Sequence, residues 1–282
     1  MQLIVDRKTK NRQLPTANYK MKDKVIWITG ASSGIGEALA YALAAQECRL
    51  VLSARNESEL QRVAAKTGLG ERDVFVLPLD LEKPDEMSAK AAQVLNHFGR
   101  IDILINNGGL SQRSLAKDTS WQVDQKLLNT NVLGTIALTK AVLPYFFRQK
   151  TGHFVTVTSL VGKFGSPMRS GYSAAKHALH GFFDSLRAEL TGQNIFVTLV
   201  CPGFVQTNVS VNAITGDGSK QNTMDEATAN GITPEYCAQH IIKAIKKRHN
   251  EVYIGKGEVF GVYLKRFLPG VFAKYIGKVK VT

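Results

Sequence analysis

The sequence predicts an α/β protein with a doubly wound parallel sheet of about seven strands, flanked by helices in three α/β/α layers. Three observations carry that prediction. From residue 24 onward, short runs rich in Val, Ile and Phe alternate with longer amphipathic stretches. The runs are continuously apolar rather than alternating, as strands buried on both faces require. The first of them passes straight into a glycine-rich turn followed by a helical pattern.

The first run, 25–29, reads VIWIT and stops at Gly30, with Trp27 assigned to the core. Runs at 50–53, 74–79, 101–106, 154–159 and 195–201 repeat the theme, and 251–254 supplies a last short strand. Between them, apolar spacing predicts helices over 36–46, 57–67, 84–98 and 171–191. A longer helical pattern extends from about Trp121 to Arg148, and Pro144 is expected to kink it without ending it. The polar segment 207–233, with Gly216, Gly218 and Gly231, is too long for an ordinary connection and reads as a lid. Pro234 then opens another helix. The expected organisation is a basic extension over 1–22, a dinucleotide-binding domain over 23–256 that includes the lid, and a basic amphipathic segment over 257–282.

A chain of 282 residues, 44% hydrophobic and 21% charged, can bury a large core without covalent staples. Cys48, Cys201 and Cys237 are widely spaced and form no C-x-x-C pair, which argues against a disulfide framework or zinc knuckle and for a reducing compartment. No run of 18 apolar residues codes a membrane span, and the first residues suit no secretory signal; they are a native extension or a cloning remnant. The cytoplasm is the expected location. The net charge of +13 divides into +5 over 1–24 and +8 over 243–282, so 25–242 is neutral. That distribution excludes a nucleic-acid surface on the body of the protein. The segment 259–278 interleaves Phe260, Tyr263, Phe267, Phe272 and Tyr275 with Lys265, Arg266, Lys274 and Lys278. Such a mixture suits a peripheral helix on anionic lipid, or a docked helix completing a pocket or dimer; Pro269-Gly270 breaks any single helix there.

The turn Thr29-Gly30-Ala31-Ser32-Ser33-Gly34-Ile35-Gly36 lies between a buried strand and a helix. Its glycines allow close backbone approach, and the helix N-terminus offers N–H groups to a pyrophosphate, the Rossmann arrangement. The second strand ends at Leu52-Ser53-Ala54-Arg55-Asn56, with no carboxylate for a ribose 2′-hydroxyl. Arg55 can instead pair with a 2′-phosphate, which favours NADP(H) over NAD; the alternative is a solvated surface arginine. Tyr172 and Lys176 are four apart and share a helix face, where an ammonium would lower the phenol pKa. Ser159 ends the fifth strand, where open α/β sheets present their ligands.

TGASSGIG at 29–36, NNGG at 106–109, Asn131, Ser159, YSAAK at 172–176 and PGFVQT at 202–207 together resemble the short-chain dehydrogenase/reductase superfamily over about 24–255. Around 172–190 and 210–219 the chain looks closest to the member 7 and 7B group. The resemblance implies Tyr172 as acid and base, Lys176 holding the nicotinamide ribose and depressing the Tyr172 pKa, Ser159 binding the substrate oxygen, and Asn131 positioning a water. It places Gly30, Ser32, Ser33, Gly34, Ile35 and Gly36 along the phosphates and adenosine ribose, and Asp80 and Leu81 at the adenine. Asn107 and Gly108 would flank the adenosine, with Val205 and Thr207 at the carboxamide and Asn106 bracing the sheet. Gly108 stands where the family usually has alanine, a loss of one methyl expected to loosen the loop slightly. The implied activity is NADP(H)-dependent interconversion of a ketone or aldehyde and an alcohol on a lipophilic molecule such as a steroid, retinoid or acyl lipid, in a homodimer or homotetramer. A non-catalytic NADP(H) sensor or scaffold is the alternative on the same fold, although such proteins usually lack the tyrosine or lysine. His177 and His180 match no metal spacing, so no metal is expected, and Cys201 reads as packing.

Overall fold

The computed structural model describes residues 19–279. Residues 1–18 of the expected basic extension and the last three of the C-terminal segment lie outside the described residues. The strands β1 (Val25–Thr29), β2 (Arg49–Ser53), β3 (Val74–Val76), β4 (Ile103–Asn106), β5 (Gly152–Val157), β6 (Ile195–Pro202) and β7 (Glu251–Ile254) form one sheet. All neighbours are parallel, in the order β3-β2-β1-β4-β5-β6-β7. The order reverses between β1 and β4, so a crevice opens beyond their carboxyl ends.

Helices α1 (Gly34–Ala44), α2 (Glu57–Lys66) and α8 (Pro234–Lys247) cover one face; α3 (Met87–Phe98), α5 (Gly134–Gln149) and α6 (Ser170–Glu189) cover the other. Along β1 the pleat sends Ile26 and Ile28 into the first core and Val25 and Trp27 into the second. Trp27 is fully buried, and its indole N–H donates to Ser53 Oγ at 2.9 Å, so burial strands no donor.

Two elements differ most from the sequence reading, and β5 stops at Val157, so Ser159 caps the turn after the strand instead of ending it. β3 is three residues long and half-buried, because it lies at the sheet edge with one neighbour; pairing continues irregularly through Leu77 N–H to Leu52 O and Leu79 N–H to Ala54 O. The long helical pattern breaks into α4 (Trp121–Leu128), a widened π turn over Asn129–Leu133, and α5. The irregularity therefore falls at Asn131, while Pro144 sits inside α5 without ending it.

The segment 207–233 carries a single turn of helix, α7 (Glu226–Ala229), and returns to the body through a bridge between Val205 and Ile232. After β7, the short helices α9 (Phe260–Phe267) and α10 (Pro269–Ile276) dock through Val262 and Phe272 onto Leu160, Val161, Phe164 and Cys201. Pro269 opens α10, which places the break where Pro269-Gly270 predicts it. No helix among the described residues is long and apolar enough to cross a membrane. Cys48, Cys201 and Cys237 are free and buried, and burial pushes each thiol up to about 12.

Candidate active site

The turn from β1 to α1 is shaped by glycine. Gly30 and Gly34 hold left-handed φ angles of 65° and 57°. A Cβ on Gly30 would sit 2.8 Å from the Gly108 Cα, and one on Gly34 would sit 2.9 Å from Thr207 Cγ2, so the loop lies directly against both neighbours. Asn107 ties them together: its Nδ2 donates to the Thr29 and Gly30 carbonyls at 3.1 and 3.2 Å. Its backbone N–H and that of Gly108 both donate to Thr29 Oγ1 at 3.0 Å. Ser33, the residue before α1, makes no side-chain cap to the first-turn amides. The result is a backbone cradle at a helix N-terminus, the donor set and space that a dinucleotide pyrophosphate requires.

A cavity of ≈ 680 Å³ opens above this turn. Gly30, Ser32, Ser33, Gly34, Ile35, Arg55, Asp80, Leu81, Asn107, Gly108, Ser159, Tyr172, Lys176, Val205 and Thr207 all line it. Two residues expected at the site stand behind its wall. Gly36 is packed under the turn, where a Cβ would run into the Gly30 carbonyl. Asn131 is buried on the π turn, with Oδ1 accepting from Leu110 N–H at 2.7 Å and Nδ2 donating to Leu110 O at 2.9 Å. Gly109 makes room for that contact, since a Cβ there would lie 2.5 Å from Asn131 Oδ1. Asn106 donates to Thr139 Oγ1 at 3.1 Å, inside the core. Gly108 leaves no slack: an added methyl would press on Leu81 Cδ1 at 3.1 Å and Thr29 Oγ1 at 3.3 Å. Leu81 occupies part of the space that a methyl on residue 108 would take.

Ser159 follows β5, and Tyr172 and Lys176 lie in the first two turns of α6. The helix comes close to α4 because residue 171 is glycine; a side chain there would strike Asp124. The Tyr172 N–H donates to Gln112 Oε1 at 3.1 Å. Burial pushes the Tyr172 phenol above its usual range, and Arg169, Arg113 and the neighbouring Ser159 hydroxyl pull it back down. The Lys176 ammonium donates to Val157 O at 3.0 Å and lies 5.6 Å from the Tyr172 ring centre. Burial lowers it to about 8. Arg169 and Arg113 thus join the Lys176 ammonium expected from the spacing as cations near the Tyr172 phenol.

Those arginines belong to a buried cluster that the sequence reading missed. Arg113 Nε donates to Asp225 Oδ2 at 2.8 Å, and Arg169 Nη2 stands 3.6 Å from the same oxygen. Arg113 Nη1 also reaches Ser111 Oγ and the Gln112 carbonyl at 2.7 and 2.6 Å. Asp225 lies in the segment 207–233, so the cluster fastens that segment to the loop after β4. The available signal was two arginines close to the motifs, Arg113 soon after NNGG and Arg169 one helical turn before Tyr172.

Arg55 is exposed and only loosely paired, 3.9 Å from Glu82 Oε1. His180, Cys201 and Glu251 come within 4.8 Å of one another. They are engaged otherwise: His180 Nδ1 faces Glu251 at 3.5 Å while Nε2 faces Thr158 at 3.2 Å, and Lys163 holds Glu251 at 3.1 Å.

The family model for short chain dehydrogenases matches residues 24–217. This chain belongs to the short-chain dehydrogenase family. Human "Dehydrogenase/reductase SDR family member 7" is 44% identical over 257 residues, 89% of this chain and 76% of that protein. Bovine "Dehydrogenase/reductase SDR family member 7B" is 40% identical over 259 residues, 89% of this chain and 80% of that one. Among solved structures, a short-chain dehydrogenase/reductase from Burkholderia phymatum in complex with NAD superposes with a TM-score of 0.81 at 22% identity, covering 94% of this chain and 100% of that one. An alcohol dehydrogenase from Thermococcus sibiricus complexed with 5-hydroxy-NADP gives 0.71 at 27% identity, covering 84% and 97%. Family membership makes the chain an oxidoreductase on a fold that carries a nicotinamide cofactor.

Proposed function

We propose that the protein interconverts a ketone or aldehyde and an alcohol on a lipophilic molecule, with NADP(H) as hydride partner and Tyr172 as acid and base. The observation that carries this reading is the position of Ser159. It lines both the large cavity above the glycine turn and an apolar cavity of ≈ 340 Å³ walled by Leu160, Val161, Phe164, Phe204, Leu264 and Phe272. Tyr172 stands beside it, and Lys176 lies one turn further along the same helix face. A chamber of mixed lining above the glycine turn and a mainly apolar chamber thus meet at one hydroxyl.

The backbone cradle of Gly30 to Ile35 would hold the pyrophosphate, Asp80 and Leu81 the adenine, Asn107 and Gly108 the adenosine side, and Val205 and Thr207 the carboxamide. Lys176 would hold the nicotinamide ribose. When bound, the cofactor supplies or accepts the hydride. The protein's own work is polarisation and proton transfer. Ser159 donates a hydrogen bond to the substrate oxygen as charge develops there. The Tyr172 phenol gives its proton to that oxygen in reduction and takes it back in oxidation. Arg169 and Arg113 favour the phenolate that forms. Asn131 holds the loop carrying Leu110 in place, so its service to the site runs through the backbone.

The preference for NADP(H) rests on Arg55, an exposed guanidinium on the cavity rim, and on the lack of a carboxylate within 52–56. The 5-hydroxy-NADP complex of the Thermococcus neighbour accords with this reading and the NAD complex of the Burkholderia neighbour does not, so Arg55 carries it. The exposed Trp121, Leu128 and Leu133 around α4 offer a face for a second copy of the chain. The test is NADPH oxidation against a panel of lipophilic ketones and aldehydes, with Tyr172→Phe alongside. The variant should bind NADPH as the native protein does and lose turnover; full activity in it would end the mechanism.

A further inference from the structure

Helices α9 and α10 meet the body of the protein through Val262 and Phe272. Their outer sides are apolar as well. Phe260, Tyr263 and Phe267 stand at i, i+3 and i+7 and form a stripe on one face of α9; Val271 and Tyr275, four apart, share a face of α10, and Leu268 lies exposed at the junction between them. These six side chains are between 49% and 74% exposed. Contiguous exposed apolar surface of this kind marks a contact site.

Charge identifies the partner. The span 260–279 contains Lys265, Arg266, Lys274 and Lys278, all exposed, and no acidic residue. Four cations against the single half-buried Glu258 beside these apolar faces complement an anionic lipid surface, where rings enter the headgroup boundary and ammonium groups meet phosphates and carboxylates. Each helix is eight residues long, about 12 Å, so the pair would lie in the interface rather than cross it. The two faces also converge. Phe260 comes from one and Tyr275 from the other, and both line the apolar cavity whose inner end is Ser159.

We infer that the outer face of the α9–α10 pair rests on an anionic membrane surface and that the apolar cavity opens against it. A lipophilic carbonyl would then pass from the bilayer to Ser159 without crossing water, a clause that rests on the proposed activity. The docking itself does not, and it is tested without turnover.

The experiment is co-sedimentation of the full chain with vesicles of phosphatidylcholine alone and of phosphatidylcholine with about a third phosphatidylserine. The native protein should sediment with the serine-containing vesicles at least tenfold more strongly than with the neutral ones. That binding should weaken as salt is raised toward about 1 M, where the screening length falls to about 3 Å. Phe267→Asp/Leu268→Asp and Lys274→Glu/Lys278→Glu touch neither cavity lining; each should reduce binding at least tenfold while leaving the circular dichroism spectrum and the reduction of a water-soluble carbonyl unchanged. Absent binding to anionic vesicles, or equal binding by the variants, overturns the inference. So does a change of oligomeric state in Phe267→Asp/Leu268→Asp, which would assign the face to a second copy of the chain. Loss of all turnover with vesicle binding intact would count against the proposed activity alone.

Discussion

Breaking the Arg113–Asp225 pair should unfold the protein more readily, and more so from one side than the other. Both side chains are almost wholly buried, at 3% and 1% exposure. Removing one partner of a buried ion pair costs about 3–5 kcal/mol, because the other charge is left in a low-dielectric site. The two substitutions differ in what they leave. Arg113→Met leaves the Asp225 carboxylate with Arg169 at 3.6 Å and with a bond from Gln221 Nε2 at 2.7 Å, so the loss should fall near the lower end, about 3 kcal/mol. Asp225→Leu leaves two neighbouring guanidinium groups, and burial with Arg113 already lowers Arg169 to about 10; that loss should approach about 5 kcal/mol. At roughly 2–4 °C per kcal/mol for a chain of this size, Tm should fall by about 6–12 °C and about 10–20 °C respectively. Thermal unfolding followed by circular dichroism reads both values. The double variant should lose less than the sum, by at least about 1 kcal/mol. Single losses below about 0.5 kcal/mol, or strict additivity, would show that the segment 207–233 is not fastened by this pair.

Three further outcomes follow from the same structure. Arg55→Asp should raise the NADPH dissociation constant at least tenfold while sparing NADH; an unchanged preference would remove Arg55 from the 2′-phosphate site. Gly36→Ala should weaken NADPH binding at least tenfold by pressing its methyl into the Gly30 carbonyl and Asn107, while Gly70→Ala, with open space around it, should not; equal affinities would contradict the packing argument. His153 is held neutral, its pKa pushed down to about 3 by burial and by Arg248. Below about 6.5 the unfolded chain takes up a proton that the folded one refuses, so stability should fall as pH drops from about 6.5 toward 3, by up to about 1.4 kcal/mol per unit. Urea midpoints at pH 7 and near pH 4.5 should show that slope reduced in His153→Gln; an undiminished slope would place the acid lability elsewhere.

The sheet was legible because its central strands are buried on both faces, which writes them as unbroken apolar runs such as VIWIT. β3 was overextended because an edge strand needs apolar residues on fewer contacts, and Leu77 and Leu79 are buried without belonging to it. The π turn at Asn131 leaves no mark, since the apolar spacing runs through it and Pro144 is the more conspicuous signal. Motif spacing brought the glycine turn, Ser159, Tyr172 and Lys176 to one cavity, but not what stands behind it. Gly36 and Asn131 belong to the motifs yet support the wall, a distinction that only backbone geometry makes. The arginines stand close to the motifs, but Arg113 and Asp225 are 112 residues apart and follow no local period, so only the folded chain reveals the partner.

The most direct measurement is isotope transfer. NADPH carrying deuterium at the nicotinamide C4 would be incubated with the best ketone of the panel, and the alcohol analysed by mass spectrometry for the native protein and Tyr172→Phe. The account predicts deuterium on the carbinol carbon with the native protein and loss of that product with the variant, at unchanged NADPH affinity. An unlabelled alcohol, or equal labelled product from both proteins, would contradict it.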